Sequence, residues 1–291
     1  RSAPPAAWAW WRSWSAEPRQ RGRRVESVER SVAVEGGRLF VRHWRPRARA
    51  AGAPPLLLLH DSLGSVAQWR GFPARLAGLL QREVIAYDRL GFGRSTPRTA
   101  RHRLDFIDEE ARRQLPALAD ALGLERYALL GHSVGGGMAL TAAAFDPERC
   151  AWVVSMSAQA FVEHRTVEGV RRTQQEFALP GGLGKLAFWH GERAAWVLDA
   201  WTGTWLDPAF ADWSLDPVLP RVRCPVLALH GDRDEYGSEA FPRRIVAGVA
   251  GPARMVLLDD CGHMPHREHP DRVLAEIAAF VSQAAEEALR G

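Results

Sequence analysis

Cysteine is scarce. The 291 residues hold three, Cys150, Cys224 and Cys261, an odd number with no CxxC spacing. That excludes a disulfide framework, and it makes a reducing cytoplasm the expected compartment. Cys261 stands two residues before a histidine, yet it follows an apolar run and reads as a small packing residue rather than a nucleophile. Long apolar runs are also missing. No stretch approaches the roughly 18 residues that a spanning helix needs, so no stable membrane insertion is expected. Zinc-finger, helix-turn-helix and RNA-binding signatures are absent, which argues against a nucleic-acid partner. No repeat of solenoid period occurs.

Charge is present but unevenly spread. Residues 1–50 hold 12 Arg and 4 Glu, a local charge of +8, inside a chain whose net charge is +4. The body of the protein is therefore acidic on balance, and the basic character belongs to the N-terminal arm. Its first residues, RSAPPAAWAWWRSW, lack a continuous apolar run of signal-peptide length, and Arg12 interrupts them. Residues 1–26 are expected to form a basic, Trp-rich, poorly ordered arm. The alternatives are an arm that lies on a membrane surface or one that covers apolar surface of the protein itself.

Beyond the arm, the hydrophobic pattern alternates in period. Ser31–Val34 and Leu39–Trp44 flank Gly36 and Gly37 and predict a hairpin. Six short apolar runs follow, at Leu56–Leu59, Val84–Tyr87, Tyr127–Leu130, Trp152–Met156, Val226–Leu229 and Met255–Leu258. Runs of this kind suit strands buried on both faces. Helical patterns lie between them, at Val66–Leu80, at Phe106–Leu122 with a bend at Pro116, at Val134–Phe145 and at residues 271–289. The class is α/β, a mostly parallel eight-stranded sheet with helices on both faces. About 65 residues between the fourth and fifth runs carry no strand signal but hold Trp189, Trp196, Trp201, Trp205 and Trp213. They predict a helical insertion over the strand ends, its aromatics packed mainly within itself. The expected division is a core of residues 27–158 and 221–291 with a helical lid of residues 159–220.

Gly131-His132-Ser133-Val134-Gly135 is a GxSxG sequence placed directly after a strand run and directly before a helical one. The pattern alone is common. In this context the glycines make room for a tight strand-to-helix turn that projects the serine hydroxyl into a cleft. A serine hydroxyl becomes nucleophilic only when a base takes its proton, so a histidine and a carboxylate to orient it are required. In sheets of this type such groups sit after the carboxyl ends of strands. Two loops qualify: His230-Gly231-Asp232-Arg233-Asp234-Glu235, and Asp259-Asp260-Cys261-Gly262-His263-Met264-Pro265.

These residues together resemble the α/β-hydrolase superfamily, in its serine esterase-like branch with a helical lid. The resemblance covers roughly residues 28–285 and rests on HDSLGS (60–65), DRLGFGRS (88–95), GHSVGG (131–136), GDRDE (231–235) and CGHMPH (261–266). It implies Ser133 as nucleophile, Asp234 as acid in preference to Asp232, and His263 as base in preference to His266 and His269. It implies an oxyanion hole made by the backbone N–H groups of Ser62 and Val134. It assigns His60 and the DRLGFGRS segment to structure, with His132 packed beside the elbow. One position departs from the family. Asp61 stands where a glycine is common, and is expected to point outward into solvent, the alternative being recognition of a cationic or hydroxyl-bearing substrate or of a neighbouring arginine.

The resemblance implies a small-molecule substrate and hydrolysis of a carboxylic ester without metal or organic cofactor. Carbon–carbon hydrolysis of a ring-cleavage diketone, with Arg165, Arg171, Arg172 or Arg193 holding a substrate carboxylate, stays open. So do perhydrolase or cofactor-free haloperoxidase activity and a ligand receptor that keeps the triad. Epoxide hydrolases and haloalkane dehalogenases of this fold use an aspartate nucleophile, which Ser133 disfavours.

Overall fold

A computed structural model describes residues 25–288. Eight strands form one sheet in the order β1-β2-β4-β3-β5-β6-β7-β8. β1 (Val25–Val34) and β2 (Gly37–Pro46) make the hairpin, longer at both ends than the sequence predicts, because β1 is an exposed edge strand whose polar residues carry no burial signal. The last two residues assigned to the arm, Val25 and Glu26, belong to β1, and the rest of that prediction, including the Trp cluster, lies outside the described residues.

The other six strands are parallel: β3 (Leu56–Leu59), β4 (Val84–Tyr87), β5 (Tyr127–His132), β6 (Cys150–Met156), β7 (Val226–Gly231) and β8 (Ala253–Leu258). Burial on both faces explains the apolar runs of β3 to β7, whereas β8 is a half-buried edge strand. In β3, Leu57 and Leu59 join one core and Leu56 and Leu58 the other, as the period of two requires. The first core lies under α3 (Leu115–Ala121), α4 (Val134–Phe145) and α8 (Ala240–Gly248). The second lies under α1 (Phe72–Leu80) and α10 (Pro270–Ala288).

Two helices differ from expectation. Val66–Leu80 divides into a 3-10 turn, Val66–Trp69, and α1, with Arg70 at φ 51° between them. Gly71 precedes α1 and Pro73 sits in its first turn, where a missing N–H costs nothing. Phe106–Leu122 divides into α2 (Phe106–Glu109), a π-helical turn (Glu110–Gln114) and α3. Pro116 cannot donate to the carbonyl four residues earlier, and the widened turn just ahead of it accommodates that loss.

Between β6 and β7 lie α5 (His164–Phe177), α6 (Gly182–His190) and α7 (Ala194–Trp205). Leu186, Ala194 and Val197 from this segment share a small apolar cluster with Leu63 and Phe92 from loops at the carboxyl ends of β3 and β4. Trp205 and Trp213 pack on Phe210, and Trp196 covers Gly91.

The central strands set the stability of this frame. Leu58→Ala, at a fully buried site, should cost about 2–5 kcal/mol. Urea denaturation should report it as a lower midpoint with an unchanged slope.

Candidate active site

The chain order places β4 on one side of β3 and β5 on the other, so loops leave the sheet in opposite directions at β3 and β5 and open a crevice between them. At the end of β5 the chain reverses at Ser133, with φ 55° and ψ −128°. A non-glycine residue holds such a conformation only where its surroundings enforce it. Here the Ser133 N–H donates to the Met156 carbonyl at 2.8 Å, and its own carbonyl accepts from Gly136 N–H at 2.8 Å. Two glycines are obligatory for lack of space. A β-carbon on Gly131 would stand 2.0 Å from the Gly135 carbonyl oxygen, and one on Gly135 would stand 2.3 Å from that of Leu59. Val134 opens α4, so its N–H has no acceptor within the helix.

β7 delivers the carboxylate. Asp234 is 1% exposed; Oδ1 accepts from Tyr236 N–H at 2.8 Å, and Oδ2 lies 2.8 Å from His263 Nδ1. Burial would raise its pKa, but the charge and hydrogen bond of His263 outweigh this and hold it below the usual carboxylate value. Asp232 is exposed and accepts from Cys261 N–H at 3.1 Å, away from the imidazole. His263 comes from the loop after β8. Three successive N–H groups fix that loop: Gly262 and Met264 donate to the Glu268 carboxylate, and His263 donates to Glu235 Oε2 at 3.2 Å. Burial alone would lower the His263 pKa. The Asp234 carboxylate, supported by Glu235 and Asp61, outweighs burial and lifts it to about 9.

Ser133 and His263 line one cavity with Ser62. The Ser133 hydroxyl is not hydrogen-bonded to the imidazole among the described residues. It lies 3.4 Å from both Oε1 and Nε2 of Gln159. Gln159 is 5% exposed and stands three residues beyond β6, at a strand end where no motif marks it. Glu235 lies within the GDRDE motif, which assigns it no role, yet its carboxylate accepts from His263 N–H. Most of the remaining wall is apolar or aromatic, with Leu63, Val170, Leu186, Trp201, Trp205, Tyr236 and Met264, and Asp61, Gln68, Thr166 and Glu235 are its other polar residues. Thus two of the five tryptophans of the β6–β7 segment face the cavity.

The other histidines occupy supporting places. His60 donates from Nδ1 to the Asp61 carbonyl at 2.8 Å and accepts at Nε2 from Arg89 N–H at 3.1 Å, so it sits as a neutral ring, and burial holds its pKa well down. His266 is buried against Trp69 and Phe72, and His269 contacts the Asp260 carbonyl. In the DRLGFGRS segment, Asp88 accepts from Val66 N–H and Arg94 N–H at 2.6 and 2.7 Å and ties two loops together. Cys261 is fully buried, as a packing residue should be.

One expectation is overturned. Asp61 does not point outward. It lines the cavity, Oδ1 accepts from Leu63 N–H at 2.9 Å, and Oδ2 lies 3.3 Å from His132 Nδ1. The turn after β3 folds the side chain back under its own backbone, where two donors replace the water it would otherwise hold.

Comparison with known proteins agrees with this architecture. A family model described as the alpha/beta hydrolase fold matches residues 54–193. The chain is 30% identical to the human serine hydrolase BPHL, over 82% of this chain and 81% of that protein. It is 28% identical to a 2-hydroxymuconate semialdehyde hydrolase of Pseudomonas sp. (strain CF600), over 79% and 87%. Among solved structures, carboxylesterase CesB of Bacillus subtilis superposes with a TM-score of 0.67 at 23% identity, over 88% of this chain and 92% of that one. The protein belongs to the α/β-hydrolase fold family.

Proposed function

We propose that the protein is a serine hydrolase that cleaves an uncharged carboxylic ester with small or medium apolar groups. The observation that carries this reading is the buried Asp234–His263 pair beside an elbow serine on one largely apolar cavity. The Ser133 hydroxyl leaves Gln159 for Nε2 of His263 and attacks the acyl carbon as His263 takes its proton. Asp234 fixes the imidazole tautomer and stabilises its cation. The N–H groups of Ser62 and Val134 bind the oxyanion. His263 then protonates the leaving alcohol, and water repeats the sequence on the acyl-enzyme. The β6–β7 segment, residues 159–220, acts as a lid that supplies Trp201 and Trp205 to the substrate. Free thiols at Cys150, Cys224 and Cys261 fit a cytoplasmic setting.

The charge of the cavity favours an ester over a ring-cleavage diketone. Such diketones carry carboxylates, and among the described residues no arginine or lysine lines the cavity, whereas Glu235 does. Of the four lid arginines, Arg193 binds the carbonyls of Gly93 and Ser95, Arg165 binds that of Asp234, and Arg171 and Arg172 are exposed.

Steady-state hydrolysis of p-nitrophenyl esters of increasing acyl length should show sustained turnover with an optimum at short or medium chains. Ser133→Ala should lower kcat by about 10⁴-fold or more. Turnover by that variant at the wild-type rate would remove the nucleophile assignment, and a single stoichiometric event would favour the receptor.

The pH dependence carries a sign. His263 serves as base only when neutral, and its folded pKa is raised from 6.5 to about 9. Activity should therefore rise with pH through the alkaline range, with its acid limb well above that of free imidazole. Asp234→Asn removes the raising charge, so the limb should move to lower pH while kcat drops by roughly 10³–10⁴-fold. A limb that stays in place in Asp234→Asn would contradict the pairing.

A further inference from the structure

Asp61 is the residue the proposed chemistry leaves unused, and it is among the most constrained in the site. Its carbonyl accepts from His60 Nδ1, from Arg89 Nη2 at 2.9 Å and from Gly64 N–H at 3.2 Å. Its carboxylate accepts from Leu63 N–H through Oδ1, on the turn that carries Ser62, and Oδ2 faces His132 Nδ1. His132 is the last residue of β5, 1% exposed and adjacent to Ser133. Its Nε2 lies 2.7 Å from the backbone carbonyl oxygen of His263. A carbonyl only accepts, so Nε2 carries a hydrogen and donates. Both ring nitrogens of His132 therefore face acceptors, Nε2 the His263 carbonyl and Nδ1 the Asp61 carboxylate at 3.3 Å. His132 outweighs the effect of burial and keeps the Asp61 carboxyl far below the usual carboxylate range.

We propose that Asp61 and His132 form a second carboxylate–imidazole pair that positions His263 through its backbone carbonyl and locks the oxyanion turn, the nucleophile elbow and the base loop into one register. Asp61 is then a positioning residue and touches no reacting atom. An unpaired carboxylate beside an oxyanion hole would oppose the negative charge developing there; here Leu63 N–H and the His132 ring take up the Asp61 carboxylate. This inference rests on the serine-hydrolase reading above. It predicts that the requirement at position 61 is for hydrogen bonding, not for charge. An asparagine there can accept from Leu63 N–H through its oxygen and donate to Nδ1 through its amide, leaving Nε2–H on the His263 carbonyl.

The test compares Asp61→Asn, Asp61→Ala and the double variant Asp61→Ala/His132→Ala with the parent protein and with His132→Ala, using the neutral p-nitrophenyl ester at its optimal length. Turnover by the parent that Ser133→Ala abolishes first establishes the underlying reading. Asp61→Ala should then lower kcat by about 10–100-fold with KM within about twofold, the signature of a misplaced base. Asp61→Asn should keep at least about half of the parent kcat, and the double variant should be no slower than His132→Ala alone, because the two residues act as one unit. A variant that does not fold leaves a readout on the parent: the downfield proton NMR spectrum should contain a His132 ring N–H resonance in addition to that of His263. The proposal is overturned if Asp61→Asn loses as much as Asp61→Ala, if the loss falls in KM and only for cationic esters, or if the two losses multiply. The last two outcomes would make Asp61 a substrate-recognition residue or an independent structural one. Absence of the His132 resonance from the folded parent protein would overturn it equally.

Discussion

The chain reversal at Ser133 is the constraint on which the rest of the site depends. A serine with φ 55° costs on the order of 1–3 kcal/mol, and the fold holds it there by packing rather than by local preference. Gly131 and Gly135 let the turn collapse onto β3, and the hydrogen bond from Ser133 to Met156 anchors it to β6. Because β3, β5 and β6 are neighbours in a sheet whose residues are buried on both faces, the elbow cannot relax without disturbing two cores. The strain is thus maintained by the same leucines and valines that make the sheet.

Around that fixed point the buried carboxylates and the His60 ring each have hydrogen-bond partners. Asp234 has Tyr236 N–H and His263, and Asp61 has Leu63 N–H and His132. His60 takes one acceptor and one donor, and Glu268 takes two N–H groups of the base loop. Burial by itself raises a carboxylate pKa, as at Asp88, moved up to about 6 although it accepts from Val66 N–H and Arg94 N–H. Asp234 and Asp61, each facing a histidine ring, are held below the usual carboxylate range instead. The raised basicity of His263 is the consequence for the proposed chemistry.

Much of this was legible in the residues. The six apolar runs match the parallel strands to within two residues, and for β3 to β7 the reason is that strands buried on both faces need no alternation to be recognised. GHSVGG located the elbow, since its geometry has few sequence solutions. The edge hairpin was cut short because solvent-facing residues leave no pattern, and the helix breaks at Arg70 and ahead of Pro116 depend on backbone packing that a periodic count ignores. The inward turn of Asp61 and the contact of Gln159 with Ser133 were invisible for a different reason. Each depends on a partner 71 and 26 positions away in the chain, brought near only by the sheet order. Burial in the loop after β7 separates Asp234, which meets His263, from the exposed Asp232, two positions that composition treats alike.

The central claim is that Ser133 is the nucleophile of an acyl-transfer site. An organophosphonate that reports on serine hydrolases tests it at the level of a single bond. The tryptic peptide spanning 127–149 contains Ser133 as its only serine. Inhibition to completion should place one phosphonyl group per chain on that peptide, with fragment masses assigning it to Ser133. A fully inhibited enzyme whose 127–149 peptide remained unmodified would contradict the account.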